Sequence, residues 1–181
     1  QIINLSAYDD LKAYVASIRE GDAVIHTIEH LMAALAGLSI DNVLVRTVGM
    51  ETPILDGSSR IYVEMLKDVG TCQLQEPRRV GMVRKEISFA IPEQQVELCI
   101  RPSETFKMTV NVDYGTKVLA AQTAVLDNIH YFYPEFYNCR TFVFLNELKF
   151  LIDHNLVRGG DLEFVPKITL LGLPMIADTL S

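Results

Sequence analysis

DAVIHTIEHLMAALAGLSIDNVLVRTVGMETPILDG, residues 22–57, is the stretch from which the rest of the chain can be interpreted. Apolar residues recur in it at helical spacing, which predicts an amphipathic helix with one face buried against a core. Gly37 is a suitable stop signal for that helix. The recurring apolar positions are Ile28, Leu31, Met32, Leu35 and Leu38.

Three residues near the start of this helix carry its chemistry: His26, Glu29 and His30. The spacing places the two imidazoles one helical turn apart on the same side, with the carboxylate close to both. Such an arrangement suits a divalent metal with a carboxylate beside its bound water, and zinc is the natural candidate for neutral imidazole ligands. Two other interpretations stay open on the pattern alone. The histidines could be hydrogen-bonded surface groups at a helix start, or the motif could be that of an inverted zinc protease.

Length and composition limit the class of protein. A chain of 181 residues can form one large domain or two small ones with a real core. Hydrophobic residues make up 49% of the chain and charged residues 22%, as in an ordinary soluble globular protein. The net charge of -7 creates no overall field that attracts nucleic acid, which is therefore not expected as a partner. No apolar run is long enough to span a bilayer and no signal-peptide layout is present, so we expect a cytoplasmic protein.

Periodicity predicts two more helices and a strand in the first half of the chain. Apolar spacing between Tyr8 and Glu20 indicates a short helix or a helical turn followed by a loop, and the apolar run Val43 to Val45 indicates a strand. A serine-capped helix is predicted from residue 58 to Gly70. Periodicity is lost at residues 73–79, where we place a linker or a domain boundary.

The second half is interpreted mainly as strands, at residues 80–83, 86–91, 96–100 and 106–114. Apolar and polar residues alternate most cleanly in the last of them, which predicts an antiparallel sheet with one buried face. The crowded aromatic residues at 131–137 are typical of a packed loop edge. The cysteines show no metal-binding or disulfide pattern and are expected to be small buried residues: Cys72, Cys99 and Cys139.

Two blocks of the sequence resemble a known family. HTIEHLMAALAGLSIDN (26–42) followed by ETPILDGSS (51–59), together with the block at 140–162, is similar to UDP-3-O-acyl-N-acetylglucosamine deacetylase, the zinc amidase of lipid A biosynthesis. The resemblance implies that His30 binds zinc and that Glu29 is the general base. It also implies that the position of His26 is not a ligand, which argues against the protease interpretation.

The same resemblance implies a reaction and further site residues. The reaction removes the N-acetyl group from a UDP-linked, 3-O-acylated amino sugar, and transient contact with the inner membrane surface is allowed. The hydroxyl of Thr141 would support the developing oxyanion, and Phe142 would line the substrate site. The implied passage for the acyl chain includes Leu148, Val157 and Gly160.

The implied fold is α+β, with two similar two-layer α/β sandwich domains at residues 1–76 and 77–181. The family holds its zinc with two further ligands on a later helix, which is not found after Glu163. We therefore expect the second domain to be truncated and the zinc site to be incomplete, with His130 and His154 as surface residues rather than replacement ligands. The alternative function is a catalytically inactive fragment or relative that keeps the fold and a lipid-sugar binding pocket.

Overall fold

The central predicted helix, α1, forms at Glu29–Gly37 in a computed structural model of the protein. It follows a hairpin of strands β1 (Ser17–Glu20) and β2 (Ala23–His26). A second helix, α2, spans Arg60–Val69 and packs against α1. The structure describes residues 16–115, 119–142, 153, 166–170 and 173–177.

Strand β1 occupies part of a segment predicted as a helix. The prediction for Tyr8 to Glu20 is wrong over β1, while residues 8–15 lie outside the described residues. Gly21 has a positive φ of 58° and turns the chain so that Ser17 pairs with His26. The apolar spacing imitates a helix here, but pairing with β2 decides the local conformation.

Helix α2 confirms the prediction of a helix that follows the serine pair and ends at Gly70. Its start is fixed by the hydroxyl oxygen of Ser58, which accepts a hydrogen bond from the Arg60 N–H at 3.1 Å. At its end the N–H of Gly70, with φ at 75°, donates to the Leu66 carbonyl at 3.0 Å. The apolar residues that are buried in the described part of the chain come from both helices, the turn before α1 and one strand: Ile28, Ala34, Leu35, Val63 and Leu126.

The other strands that the structure describes form three antiparallel hairpins. The pairs are β3 (Ile87–Ile91) with β4 (Val96–Ile100), β5 (Met108–Val112) with β6 (Gln122–Leu126), and β7 (Pro166–Leu170) with β8 (Leu173–Ala177). Helices and antiparallel sheets are thus both present, which confirms the α+β class. The strands predicted at 86–91, 96–100 and 106–114 correspond to β3, β4 and β5, while the division into domains at 1–76 and 77–181 stays a prediction.

Two predicted strands do not form. Residues 43–45 and 80–83 are described, and neither run pairs with another described segment. Leu44 and Met82 are each 77% exposed. An apolar run becomes a strand only where another segment offers its backbone N–H and C=O groups, and no segment within the described ranges does so for these two runs.

Two predictions of burial are also wrong. Met108 and Val110, on the face of β5 predicted to be buried, are 46% and 42% exposed. The physical reason is that, among the described strands, β5 pairs with β6 alone, and a two-stranded hairpin cannot cover its own face. The cysteines are free thiols that lie on the surface, because they sit on a hairpin strand or in irregular segments: Cys72, Cys99 and Cys139.

The aromatic segment packs at the end of α1, as predicted for a loop edge. A 3₁₀ turn at Ile129–Tyr131 leads into a wider helical turn at Phe132–Phe136. The Phe132 ring fills the space beside Gly37 that any larger side chain would need. Gly37 is therefore both the last residue of α1 and a packing site for the aromatic segment.

Candidate functional site

Glu29 and His30 are the first two residues of α1. A carboxylate in the first turn of a helix is favoured by the unpaired N–H groups of that turn. Glu29 is also tied to the chain before the hairpin, because its Oε2 accepts a hydrogen bond from the Ala16 N–H at 3.2 Å. Both side chains are half-buried, so the carboxylate and the imidazole lie where a ligand can reach them.

His26 does not belong to this helix. It ends β2 and forms a parallel bridge with Glu51, in which its N–H donates to Met50 at 2.8 Å and its carbonyl accepts from Thr52 at 3.0 Å. Its Nδ1 lies 2.8 Å from the Ser17 hydroxyl. The prediction that His26 and His30 sit one turn apart on one helix is therefore wrong, and so is the geometry that the protease motif requires.

Thr27 turns the chain from β2 into α1. Its φ of 58° is a strained value for a β-branched residue, and its side chain is almost fully buried at 2% exposure. The hydroxyl donates to Glu51 Oε1 at 2.7 Å, and the carbonyl accepts a hydrogen bond from the Thr52 hydroxyl. These contacts hold the strained turn and so determine where Glu29 and His30 begin the helix.

We expect Thr27→Val to destabilise the protein by about 1–2 kcal/mol, because it keeps the strained β-branched shape and removes the donor to Glu51. The measurement is the free energy of unfolding in urea. Thr47→Val is the matched control, since the Thr47 hydroxyl makes only an exposed contact of 3.5 Å with the Gly49 carbonyl. Equal effects of the two variants would contradict a special role for Thr27.

The turn before α2 contains a buried carboxylate, that of Asp56, which is 3% exposed. Its Oδ1 accepts hydrogen bonds from the N–H and the hydroxyl of Ser58, at 3.2 and 2.7 Å. Its Oδ2 accepts from Arg60 Nη2 at 3.0 Å and lies 3.9 Å from Arg140 Nη2. Burial raises the pKa of the Asp56 carboxyl, but the hydrogen bonds from Ser58 and Arg60 outweigh burial and hold that pKa below 3.8.

Thr141 lies directly against the residue after Asp56. Its N–H donates to the Gly57 carbonyl at 2.7 Å. A Cβ added to Gly57 would come within 3.3 Å of Thr141 Cγ2, and Gly57 has a positive φ of 77°. The positive φ of this turn therefore favours glycine at position 57, and the approach of Thr141 leaves little room for a Cβ there.

Phe142 contacts the β5–β6 hairpin. Its ring stands edge-on to Tyr114, with ring centroids 5.4 Å apart and planes at 79°. The two rings line an apolar cavity of about 160 Å³, which is half open to solvent. The rest of its lining comes from the hairpin: Val110, Val112, Leu119, Gln122, Thr123 and Ala124.

The structure describes some of the predicted site residues and not others. Glu29 and His30 adjoin at the start of α1, and Thr141 and Phe142 adjoin beside Gly57 and Tyr114. The predicted acyl-chain residues Leu148, Val157 and Gly160 lie outside the described residues, as does His154. His130 is described and exposed, in agreement with its prediction as a surface residue.

The described residues do not assemble a complete zinc site. Catalytic zinc needs three protein ligands, and no group of three His, Cys, Asp or Glu side chains comes together in the described part of the chain. His30 fits as a single ligand because its imidazole is half-buried at a helix start. None of the helices in the described ranges has the length and apolar character to cross a membrane.

The contacts of four residues around the site are not predicted from the sequence: Thr27, Glu51, Asp56 and Arg140. The spacing of Asp56 to Ser58 and Arg60 is a usable signal, because an Asp two residues before a Ser often forms a local turn. No such signal marks Thr27, whose positive φ depends on its contact with Glu51.

Comparison with known proteins identifies relatives across most of the chain. The family model of the UDP-3-O-acyl N-acetylglycosamine deacetylases matches residues 5–166. The chain is 37% identical over 146 residues to the bifunctional enzyme LpxC/FabZ of Porphyromonas gingivalis. The aligned region covers 81% of this chain and 32% of that enzyme. It is 33% identical over 149 residues to the UDP-3-O-acyl-N-acetylglucosamine deacetylase of Chlamydia pneumoniae, which covers 81% of this chain and 52% of the relative.

A third relative extends the match. The deacetylase of the same name from Chromobacterium violaceum is 30% identical over 161 residues, which covers 87% of this chain and 52% of the relative. The chain spans about a third to a half of the length of these curated relatives. Because the family model matches most of its length, the chain belongs to the UDP-3-O-acyl-N-acetylglycosamine deacetylase family.

Proposed function

We propose that the chain carries part of the catalytic machinery of a zinc-dependent hydrolase of lipid A biosynthesis. The reaction is removal of the N-acetyl group from UDP-3-O-acyl-N-acetylglucosamine, in the cytoplasm, with transient contact with the inner membrane surface allowed. The observation that carries the proposal is the pair Glu29 and His30 at the start of α1, inside a family match over residues 5–166. The names of the matched relatives support the substrate class.

Glu29 is the proposed general base. Its carboxylate is half-buried and held by the Ala16 N–H through Oε2, which restricts its orientation. A fixed carboxylate beside an attacking water can accept the proton as the water adds to the amide carbon. His30, the next residue, is proposed as one of three zinc ligands, and zinc when bound would polarise the amide carbonyl.

Thr141 and Phe142 are the proposed substrate-side groups. The Thr141 hydroxyl would donate to the oxyanion that develops on the amide oxygen, and its backbone is already fixed by Gly57. Phe142 lines the apolar cavity with Tyr114 and would contact the bound sugar derivative. Residues Leu148, Val157 and Gly160 are proposed to contact the acyl chain.

A second candidate is an inactive member of the family that keeps the fold and a lipid-sugar pocket. One observation favours it: among the described residues no set of three potential ligands surrounds His30. In this case the chain would bind the UDP-linked acylated sugar without hydrolysing it. The two candidates therefore differ in bound zinc and in release of acetate.

Zinc content and acetate release of the 181-residue chain separate the two candidates. For the deacetylase we expect about one zinc per chain after dialysis, lost in His30→Ala and retained in Glu29→Gln. Glu29→Gln should lower kcat for acetate release by about a hundredfold or more because the base is removed. His130→Ala is the control, since His130 is an exposed histidine outside the proposed site.

The contrary results are equally clear. A chain that holds no zinc and releases no acetate, yet binds the UDP-linked sugar, is the inactive relative. Zinc that is retained in His30→Ala rejects His30 as a ligand. Full activity in Glu29→Gln rejects Glu29 as the base.

A further inference from the structure

Asp56 is a buried charged side chain that the proposed chemistry does not use. It lies in the turn before α2, and two guanidinium groups approach the same carboxylate oxygen, one from Arg60 and one from Arg140. Arg60 and Ser58 are local partners, as expected for a turn that starts a helix. Arg140 is different, because it is distant in sequence and directly precedes Thr141.

We propose that Asp56 is a positioning residue for Thr141. Asp56 attracts Arg140, and the next residue, Gly57, accepts the N–H of Thr141. Two consecutive residues of one segment thus hold two consecutive residues of the other. This inference rests on the proposed role of Thr141 at the developing oxyanion.

Together, the Thr141 hydrogen bond and the Arg140 ion pair fix the orientation of the segment, which neither contact fixes alone. A single backbone hydrogen bond from Thr141 to Gly57 fixes a distance but leaves the segment free to pivot about it. The ion pair of 3.9 Å between Asp56 and Arg140 opposes that rotation. The Asp56 side chain is 3% exposed and that of Arg140 is 36% exposed, so water screens this attraction in part, though less than it screens a pair of two exposed groups.

The direction of the Thr141 hydroxyl depends on this backbone. Gly57 lets the threonine approach closely, with its Cγ2 against the position where a Cβ would stand. A hydrogen-bond donor must be held accurately to act on an oxyanion, and a displacement of about 1 Å can lower a rate by about a hundredfold. Loss of the Asp56 to Arg140 contact should therefore reduce turnover without weakening substrate binding to a similar degree.

Amide hydrogen exchange in the full 181-residue chain tests the positioning directly. Arg140→Gln should accelerate exchange of the Thr141 amide by about tenfold while the Val63 amide, which donates to Ser59 within the start of α2, keeps its rate. Arg140→Lys keeps the positive charge and should restore most of the protection at Thr141. Arg78→Gln is the matched control, because Arg78 forms an exposed ion pair with Asp41 on another part of the surface.

Two results would overturn the positioning role: an unchanged Thr141 amide in Arg140→Gln, or equal acceleration at Thr141 and Val63, which is general destabilisation. In the acetate-release assay, Arg140→Gln should lower kcat about tenfold or more with KM little changed, and Arg140→Lys should recover part of the loss. Thr141→Val separates this inference from the proposed function. If that variant keeps full kcat while Arg140→Gln still frees the Thr141 amide, the catalytic role of Thr141 is wrong and the structural attachment stands.

Discussion

Gly37→Ala is expected to destabilise the protein by about 2–3 kcal/mol, even though alanine favours a helix over glycine by about 1 kcal/mol. A Cβ at position 37 would overlap the Phe132 ring at Cδ1 and come within 2.8 Å of Cε1 and Cγ. Contact with Cγ involves the base of the ring, so a small rotation cannot relieve it. Either the aromatic segment moves away from α1 or the helix end unwinds.

A double-mutant cycle in urea tests this packing. Phe132→Leu removes the ring, so Gly37→Ala should cost much less in that background than in the original chain. Gly81→Ala is the control, because Gly81 has no atom within 4 Å of an added Cβ and no unusual φ. That control should be neutral or stabilising by a few tenths of a kcal/mol, since it restricts the unfolded chain. A loss in Gly37→Ala that persists unchanged with Phe132→Leu would contradict the steric explanation.

Gly37 also shows how far the sequence predicts the fold. The sequence correctly predicts that α1 ends at Gly37, because a glycine after an apolar helical pattern ends a helix through its local backbone preferences. Its packing against Phe132 could not be predicted, since nothing in either sequence neighbourhood indicates the other. The same holds for α2, whose start at the serines and end at Gly70 are local, and whose contact with α1 is not.

Errors in the sequence-based predictions have a common physical cause. The apolar spacing over β1 weakly predicts a helix. The segment forms a strand instead, because the turn at Gly21 brings it beside β2. The run at 43–45 is predicted as a strand, yet no strand in the described part of the chain pairs with it. Alternation correctly predicts that β5 is a strand, but the burial of its apolar face depends on what packs over the hairpin. The pairing of strands and the burial of their faces depend on tertiary contacts, so local sequence patterns do not determine them.

Only part of the candidate site was open to prediction. The adjacency of Glu29 and His30 follows from the sequence, whereas the position of His26 outside the helix follows from the strained turn at Thr27. The contact between Thr141 and Gly57 joins two segments that lie far apart in the chain, so it could not be predicted from local sequence patterns. The roles of Glu29, His30, Thr141 and Phe142 stay predictions that the zinc and kinetic measurements test.

Asp56→Asn is expected to cost about 2–3 kcal/mol at neutral pH, because it replaces charge-assisted hydrogen bonds in a buried site by weaker neutral ones. The loss of stability should not be larger than this, because Arg60 and Arg140, which lose their anionic partner, are each 36% exposed and can be hydrated. Asp41→Asn is the control: it breaks an exposed pair with Arg78 and should change stability by about 0.5 kcal/mol or less.

The cost of Asp56→Asn should also depend on pH in one direction. The pKa of Asp56 is lower in the folded protein than its ordinary value of 3.8, so between those two values the unfolded chain binds more protons. The stabilisation by the carboxylate is therefore fully present above its ordinary pKa and is lost as the pH falls through the folded pKa. Urea unfolding of both proteins should show curves of stability against pH that lie parallel near neutrality and converge below about pH 4. A difference between the two proteins that stays constant into acid would show that the Asp56 charge does not stabilise the turn, and would leave only its shape to explain the loss.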